Sequence, residues 1–459
     1  MTDGFGRLLI ARFVGFRLLP GQIVALAALG LIFFGACLLM LPIATHPGVN
    51  ISFLDALFTA TSAVCVTGLI VVDTPQDFTL FGQGVVLGLI QIGGLGYALM
   101  ATMILLILGR RLGLRDRMML SESMNTMDLQ GLVRFVKLVA TITFGLEGLG
   151  AVLLTLRFAV DMPWGTAAYY GIFHSISAFN NAGFALFSDS FKSFQTDWSI
   201  NGIITILVIF GSIGFFVFED LLGNLRGQRF RLQTHTKLVL VTTALLIVGG
   251  TIGITILEWN NPSTFQSASI GKKLTISYFH SVSRTAGFTS IDIVDMRDAT
   301  LYFLLLLMAI GGSPGSMAGG LKTTTAAIVF LTILNMLRRD RDVEVFNRRI
   351  PQDLITRALC FTVLAIVMIT GMTLLLDSTE SQPFLFLMFE ITSAMGIVGM
   401  SLGNGETLSL SALFTDFGKV MIMLSMLLGR FGPLMIGLFA VKTAVSKPYR
   451  YAKARVIIG

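Results

Sequence analysis

Four glycines, Gly68, Gly183, Gly287 and Gly399, recur at spacings of 115, 104 and 112 residues, and each lies between two long apolar stretches. Each closes a helix-like run rich in serine or threonine: residues 62–69, 177–184, 283–288 and 393–400. Glycine has no Cβ, so it adopts the unusual dihedrals that turn backbone carbonyls inward. Such carbonyls can replace the water oxygens that a cation sheds in a narrow filter. The chemistry open to these runs is cation coordination. The residues expected to form such a filter are Val66, Thr67 and Gly68; Asn181, Ala182 and Gly183; Thr285, Ala286 and Gly287; and Ile397, Val398 and Gly399, with a metal ion expected to be held by backbone carbonyls at the four glycines. Potassium suits a neutral carbonyl ring because it is less strongly hydrated than sodium. Glycines in membrane helices are often packing sites, and this chain has 48. One would be read that way, but four in matching settings favour a filter.

Other residues extend the pattern. Asp73, Asp189 and Asp292 follow their glycines by five or six positions, with Asn404 in the fourth place. Carboxylates at an outer mouth concentrate cations and exclude anions. Residues 311–320 interrupt an apolar helix with Gly311, Gly312, Ser313, Pro314, Gly315, Ser316, Gly319 and Gly320. Proline costs a helix about 3 kcal/mol and each glycine about 1 kcal/mol, so a polar, flexible loop is expected below the filter, placed to act as a gate. Arg430, inside the last apolar run, is expected to face the cavity as a barrier or to pair with that loop, since a mid-membrane arginine is functional by default; the alternative is a buried acid partner, Glu147 or Asp220. Lys322 joins the gate residues and is expected to snorkel to the inner interface. Arg284 is expected to brace its segment by bonding carbonyls or a carboxylate. His174 and His280 are read as opening two of the short helices in hydrogen-bonded structural roles, and Glu219 with Asp220 as solvated, open to a regulatory subunit.

The elements that must position these residues follow from composition. Hydrophobic residues make up 54% of 459 positions and charged ones 13%, with a mean hydropathy of +0.81. Apolar runs such as 21–44, 80–108, 238–257 and 359–376 approach or exceed the roughly 20 residues that cross a hydrocarbon core as a helix. The expected fold is an all-α polytopic membrane protein: four parallel helix–pore-loop–helix repeats around one central pore, with eight spanning and four re-entrant helices. The repeats take residues 21–110, 130–225, 237–337 and 355–445, between a cytoplasmic N-terminus (1–20) and a cytoplasmic tail (446–459). Spanning helices are expected near 21–43, 80–108, 132–159, 200–222, 237–257, 301–336, 355–376 and 413–445, and re-entrant ones near 52–63, 167–178, 272–283 and 383–394.

Of the 33 lysines and arginines, 24 fall in five clusters: before residue 20, within 110–137, 226–237 and 338–357, and from 442 onward. By the positive-inside rule, both termini and the three inter-repeat loops are cytoplasmic. The basic balance is therefore an orientation signal, contacting lipid and not nucleic acid. Cys37, Cys65 and Cys360 lack metal-type spacing and read as packing residues, and no cleaved signal peptide is expected. Enzymatic chemistry would need clustered carboxylates or histidines in catalytic spacing, and none occurs. An alternating-access carrier would favour inverted repeats, whereas these run parallel. Repeat three departs from the others. Phe58, Phe173 and Phe389 precede their glycines by ten residues, but Tyr278 and Phe279 by nine and eight.

Residues 180–184, 284–288, 396–401, 312–324 and 428–434 together resemble the Trk/Ktr/HKT superfamily of potassium transporters over essentially the whole chain, and the short N-terminus favours the Ktr branch. Met400 departs from the leucine more usual after the fourth glycine. The resemblance implies gated, potassium-selective uptake with potassium in the filter and possible sodium stimulation. It further implies a homodimer in the bacterial inner membrane, regulated by a cytoplasmic ring of KtrA-like RCK subunits that would carry the nucleotide. In plant relatives a serine at the first glycine goes with sodium transport. Gly68 stands there in this chain, which favours potassium over a sodium-selective or weakly selective pathway.

Overall fold

The computed structural model describes residues 20–96, 132–225, 227, 231–338, 342–405 and 407–441. The expected N-terminus, the end of the first inner helix (97–108), most of the first basic loop and the tail (446–459) lie outside the described residues.

The chain repeats one pattern of long helix, short helix and third helix. The first unit has α1 (Pro20–Leu39), α2 (Phe53–Cys65), a single turn α3 (Thr74–Asp77) and α4 (Leu80–Leu95). The second has α5 (Leu132–Phe158), α6 (Trp164–Phe179), α7 (Trp198–Ile213) and α8 (Phe215–Leu225). The third has α9 (Thr234–Glu258), α10 (Ile270–Ser283), α11 (Asp298–Ala309) and α12 (Thr323–Arg338). A two-residue hairpin, β1 (Glu344–Val345) with β2 (Arg348–Arg349), leads to the fourth unit: α13 (Gln352–Asp377), α14 (Phe384–Gly396) and α15 (Asp416–Val441).

Among the described residues, α5, α9 and α13 are each long and apolar enough to cross a membrane alone. Their surfaces carry exposed apolar side chains such as Leu149, Val152, Leu245, Ile252, Val363 and Ile366. In a water-soluble protein such a belt would be a liability, but against lipid it is the expected outer face. Trp164, Trp198 and Trp259 are exposed at the ends of helices away from the basic loops, where amphipathic rings settle at a membrane interface.

The short helices are the buried layer. The long helix of each unit packs on its own short helix: α1 on α2, α5 on α6, α9 on α10 and α13 on α14. The third helix packs on the short helix of the next unit: α4 on α6, α7 on α10 and α11 on α14, while α15 returns to α2. The packing thus closes on itself in the order of the chain.

Among the described residues, two third helices are not continuous. The expected single helix over 200–222 is bent by 94° between α7 and α8, at Gly214 with φ 96°. No side chain fits there, because a Cβ would strike the Pro314 carbonyl. The other break separates α11 from α12 over residues 310–322, where the glycine–proline run lies.

Candidate ion pathway

Three short helices end the same way. After α2, α6 and α14 the chain enters the left-handed region at Val66 (φ 61°), Asn181 (φ 58°) and Ile397 (φ 55°). The following amides reach back five residues, Thr67 N to Ser62 O (2.7 Å), Ala182 N to Ser177 O (2.8 Å) and Val398 N to Ser393 O (2.9 Å). This is the six-to-one bond of a Schellman-type helix end. Asparagine tolerates the conformation, but valine and isoleucine are genuine outliers there, at a cost of about 1–3 kcal/mol each. Two residues later each chain returns to positive φ at Gly68 (91°), Gly183 (74°) and Gly399 (89°).

The third segment is shorter by two residues. Gly287 N bonds Ser283 O directly at 2.8 Å, and Gly287 (φ 72°) is its left-handed residue. The same deletion explains the aromatic offset, since Phe279 is buried like Phe58, Phe173 and Phe389. Serine holds the segments in two ways. Ser62 Oγ accepts from Gly68 N and Ser393 Oγ from Gly399 N, both at 3.0 Å. Ser177 and Ser283 instead donate to the carbonyls of Phe184 and Phe288, at 2.6 and 2.5 Å.

The four glycines meet. A Cβ on Gly68 would collide with the Ala182 carbonyl oxygen, one on Gly183 with that of Ala286, one on Gly287 with that of Val398, and one on Gly399 with that of Thr67. Each glycine faces the carbonyl before the next glycine, and the fourth faces the first. Glycines also seat the short helices: a Cβ on Gly93 would strike the Val64 carbonyl, on Gly211 that of Phe179 and on Gly429 that of Met395. In the third unit Arg284, buried, donates to the carbonyls of Ile310 and Gly311, so its partners are carbonyls and not a carboxylate.

Residues 310–322 pass between the second and fourth units. Ser313 N bonds Ser212 O (2.9 Å), Met317 N bonds Gly211 O (3.0 Å), and Phe215 N bonds Gly315 O (2.9 Å). Gly319 lies against the Ile397 side chain and Gly320 against the Gly396 carbonyl. Arg430 donates to Met317 O and, at 2.8 Å, to Gly93 O. Its bonds to Met317 and Gly93 are therefore to carbonyls, while Glu147 and Asp220 are engaged elsewhere. Lys322 does not snorkel but folds onto Ala318 O at 2.8 Å. The loop expected to be polar and flexible is hydrogen-bonded on both sides, because its glycines expose backbone that must find partners when buried.

Asp73, Asp189 and Asp292 do not form one open ring. Asp73 is buried, and desolvation raises its pKa above the ordinary 3.8, while nearby hydroxyls of Ser188 and Thr407 pull it back. Asp189 accepts from Ser193 Oγ at 2.6 Å. Asp292 is exposed and paired with Lys192. Asn404 accepts from Leu408 N at 3.2 Å within its own loop.

Several placements differ from expectation. His174 and His280 lie in the second halves of α6 and α10 and do not open them. His174 accepts from Leu186 N at 3.1 Å and pairs through Nδ1 with Tyr170 O. Asp220 is buried rather than solvated, accepting from Gln233 N and Thr236 Oγ1 at the start of α9. Among the described residues no group of three metal-ligating side chains forms. Cys37, Cys65 and Cys360 are free; Cys65 is buried in packing, whereas Cys37 and Cys360 are on the outer face.

Two buried carboxylate networks lie beside the glycine segments; the sequence reading named Glu147 only as an alternative partner of Arg430 and did not single out Glu390. Glu147, on α5, accepts from Gln91 Nε2 (3.1 Å) and Asn180 Nδ2 (2.8 Å), which ties α4 to the end of α6. Glu390, on α14, accepts from Ser401 and Ser411. The available signal was a lone carboxylate in an apolar helix, which is costly unless bonded.

Comparison with known proteins gives a consistent result. The family model described as TrkH, cation transport protein, matches residues 26–449. The Ktr system potassium uptake protein B of Bacillus subtilis is 40% identical over 444 residues, covering 96% of this chain and 97% of that protein. The potassium/sodium uptake protein NtpJ of Enterococcus hirae is 34% identical over 451 residues, 96% and 98% of the two chains. The crystal structure of the potassium transporter TrkH from Vibrio parahaemolyticus superposes with a TM-score of 0.69 at 22% identity, covering 92% of this chain and 84% of that one, a likeness of fold.

Proposed function

This chain belongs to the TrkH family of cation transport proteins, not an enzyme family, and on that premise we propose that it takes up potassium through a gated axis at the four glycines. The observation that carries the reading is the closed cycle of glycine–carbonyl contacts, from Gly68 to Ala182, Gly183 to Ala286, Gly287 to Val398 and Gly399 to Thr67. It supports a level at which four neutral carbonyls surround one cation and exchange for its water. The short helices end three or four residues before these glycines, so their carbonyl ends add partial negative charge nearby. Asp189 and Asp292 supply charge at the outer approach, with Lys192 offsetting one of them, while Asp73 stands buried in the same outer layer.

Residues 310–322 are the gate in this reading. Their bonds to Ser212, Gly211 and Arg430 hold the loop under the glycine cycle, and opening requires these bonds to exchange. Relatives named as parts of a Ktr system support a partner. We infer a nucleotide-binding cytoplasmic subunit of the RCK type acting on a homodimer in the bacterial plasma membrane, with both termini inside. A second reading, in which sodium stimulates or shares the pathway, is favoured by the relative named for potassium and sodium uptake.

The test is growth of a bacterial strain lacking potassium uptake, with the full chain and its cognate cytoplasmic partner supplied. Wild type should rescue at low potassium, and Gly399→Ser, at equal membrane expression, should raise the requirement. No rescue by wild type, or no effect of the substitution, refutes the filter.

A further inference from the structure

We propose that Glu390 is a positioning residue that fixes the fourth glycine segment, and through Ser409 the first, and thereby sets the ion preference; the inference rests on the filter reading above. Glu390 precedes Gly399 by nine residues, as Thr59 precedes Gly68 and His174 precedes Gly183. His280 precedes Gly287 by seven, the same register once the two-residue deletion is counted. All four side chains are buried. His174 already shows what this position can do, since it holds Leu186 N, three residues beyond its glycine.

Glu390 holds more. One carboxylate oxygen takes the Ser401 hydroxyl at 2.7 Å, and the other takes Ser411 N at 3.0 Å together with the Ser411 hydroxyl. Ser401 Oγ in turn accepts from Gly403 N (3.2 Å) and Leu410 N (2.8 Å). Between these anchors, Ser409 exchanges two hydrogen bonds with Ile70: Ser409 N to Ile70 O at 3.0 Å, and Ile70 N to Ser409 Oγ at 2.9 Å. Ile70 lies two residues past Gly68. The carboxylate thus organises the chain just beyond two of the four glycines, on units that are first and last in sequence but adjacent in the cycle. Three donors, the Ser401 and Ser411 hydroxyls and Ser411 N, converge on one buried side chain. Such a brace resists the contraction of the carbonyl ring that a smaller cation requires.

The experiment compares sodium and potassium uptake by the full-length chain in potassium-uptake-deficient cells, for wild type, Glu390→Ala, Glu390→Gln, Ser401→Ala and Gly399→Ser. Glu390→Ala should raise the sodium-to-potassium ratio about fivefold, the equivalent of one net hydrogen bond. Ser401→Ala should shift it less in the same direction, and Glu390→Gln should recover part of the loss through its remaining acceptor oxygen. If Gly399→Ser changes the ratio while Glu390→Ala and Ser401→Ala do not, the positioning role is wrong. If Gly399→Ser also leaves it unchanged, the filter reading fails and this one with it. Should Glu390→Ala not reach the membrane, Ser401→Ala decides alone, and an unchanged ratio overturns the proposal.

Discussion

Two glycines on α4 give a sharp test of how tightly the short helices are seated. A Cβ added at Gly88 meets nothing within 4 Å, whereas one at Gly93 would stand on the Val64 carbonyl, with the carbonyl carbon at 2.8 Å and Cα at 3.0 Å. Val64 lies in the last turn of α2, four residues before Gly68. Replacing either glycine by alanine gains about 1 kcal/mol of helix propensity, so that contribution cancels between the two variants. What remains is overpacking at Gly93, typically about 1–3 kcal/mol, and the neighbour is backbone that cannot rotate aside. Gly88→Ala should therefore match or exceed wild type in thermal stability, measured in detergent by loss of the monodisperse species, and should transport normally. Gly93→Ala should be less stable than Gly88→Ala by about 1–3 kcal/mol, or else α2 yields and potassium uptake falls instead. Equal behaviour of the two variants in both assays would refute the seating.

Two further outcomes follow from single side chains. Arg430→Gln removes charge-assisted bonds to Met317 O and Gly93 O, each worth about 1.5–3 kcal/mol, and should raise basal potassium flux into vesicles; unchanged flux from intact protein would speak against a latch on the loop. Asp73, with its pKa raised by burial, holds its proton more tightly folded than unfolded, so stability falls as pH rises through and above the ordinary 3.8. Asp73→Asn should flatten that decline and be neutral or stabilising at pH 7, checked by melting at several pH values; a steeper decline in the variant would contradict the assigned cause.

The glycine repeat, the apolar runs and the break near 311–320 were legible because each is a local property: a spacing, a length, or a cost of proline and glycine in a helix. The order in which the units meet was not, because no local pattern says that α15 returns to α2 or that Gly399 faces the Thr67 carbonyl. The bend at Gly214 was missed for a related reason. An isolated glycine in an apolar run reads as helix, and only the Pro314 carbonyl from another unit makes the bend necessary. His174 and Asp220 were misplaced or misread by the same limit, since their partners are Leu186 N, twelve residues on, and the start of the next unit.

Repeat three shows how far a local irregularity can carry. Its two-residue deletion was visible as a shifted aromatic, and in the structure it removes the left-handed residue that ends the other short helices. The third unit also breaks its own third helix after Ala309, and α11 carries no glycine to seat the end of α10. Arg284 takes that place, binding the carbonyls of Ile310 and Gly311 that the break leaves open. In the other units a glycine of a third helix stands against the end of a short helix, at Gly93, Gly211 and Gly429. The shortened segment, the buried arginine and the broken helix are thus one adaptation. The glycine segment and the loop of this unit are joined through a single side chain, and neither can move far without the other.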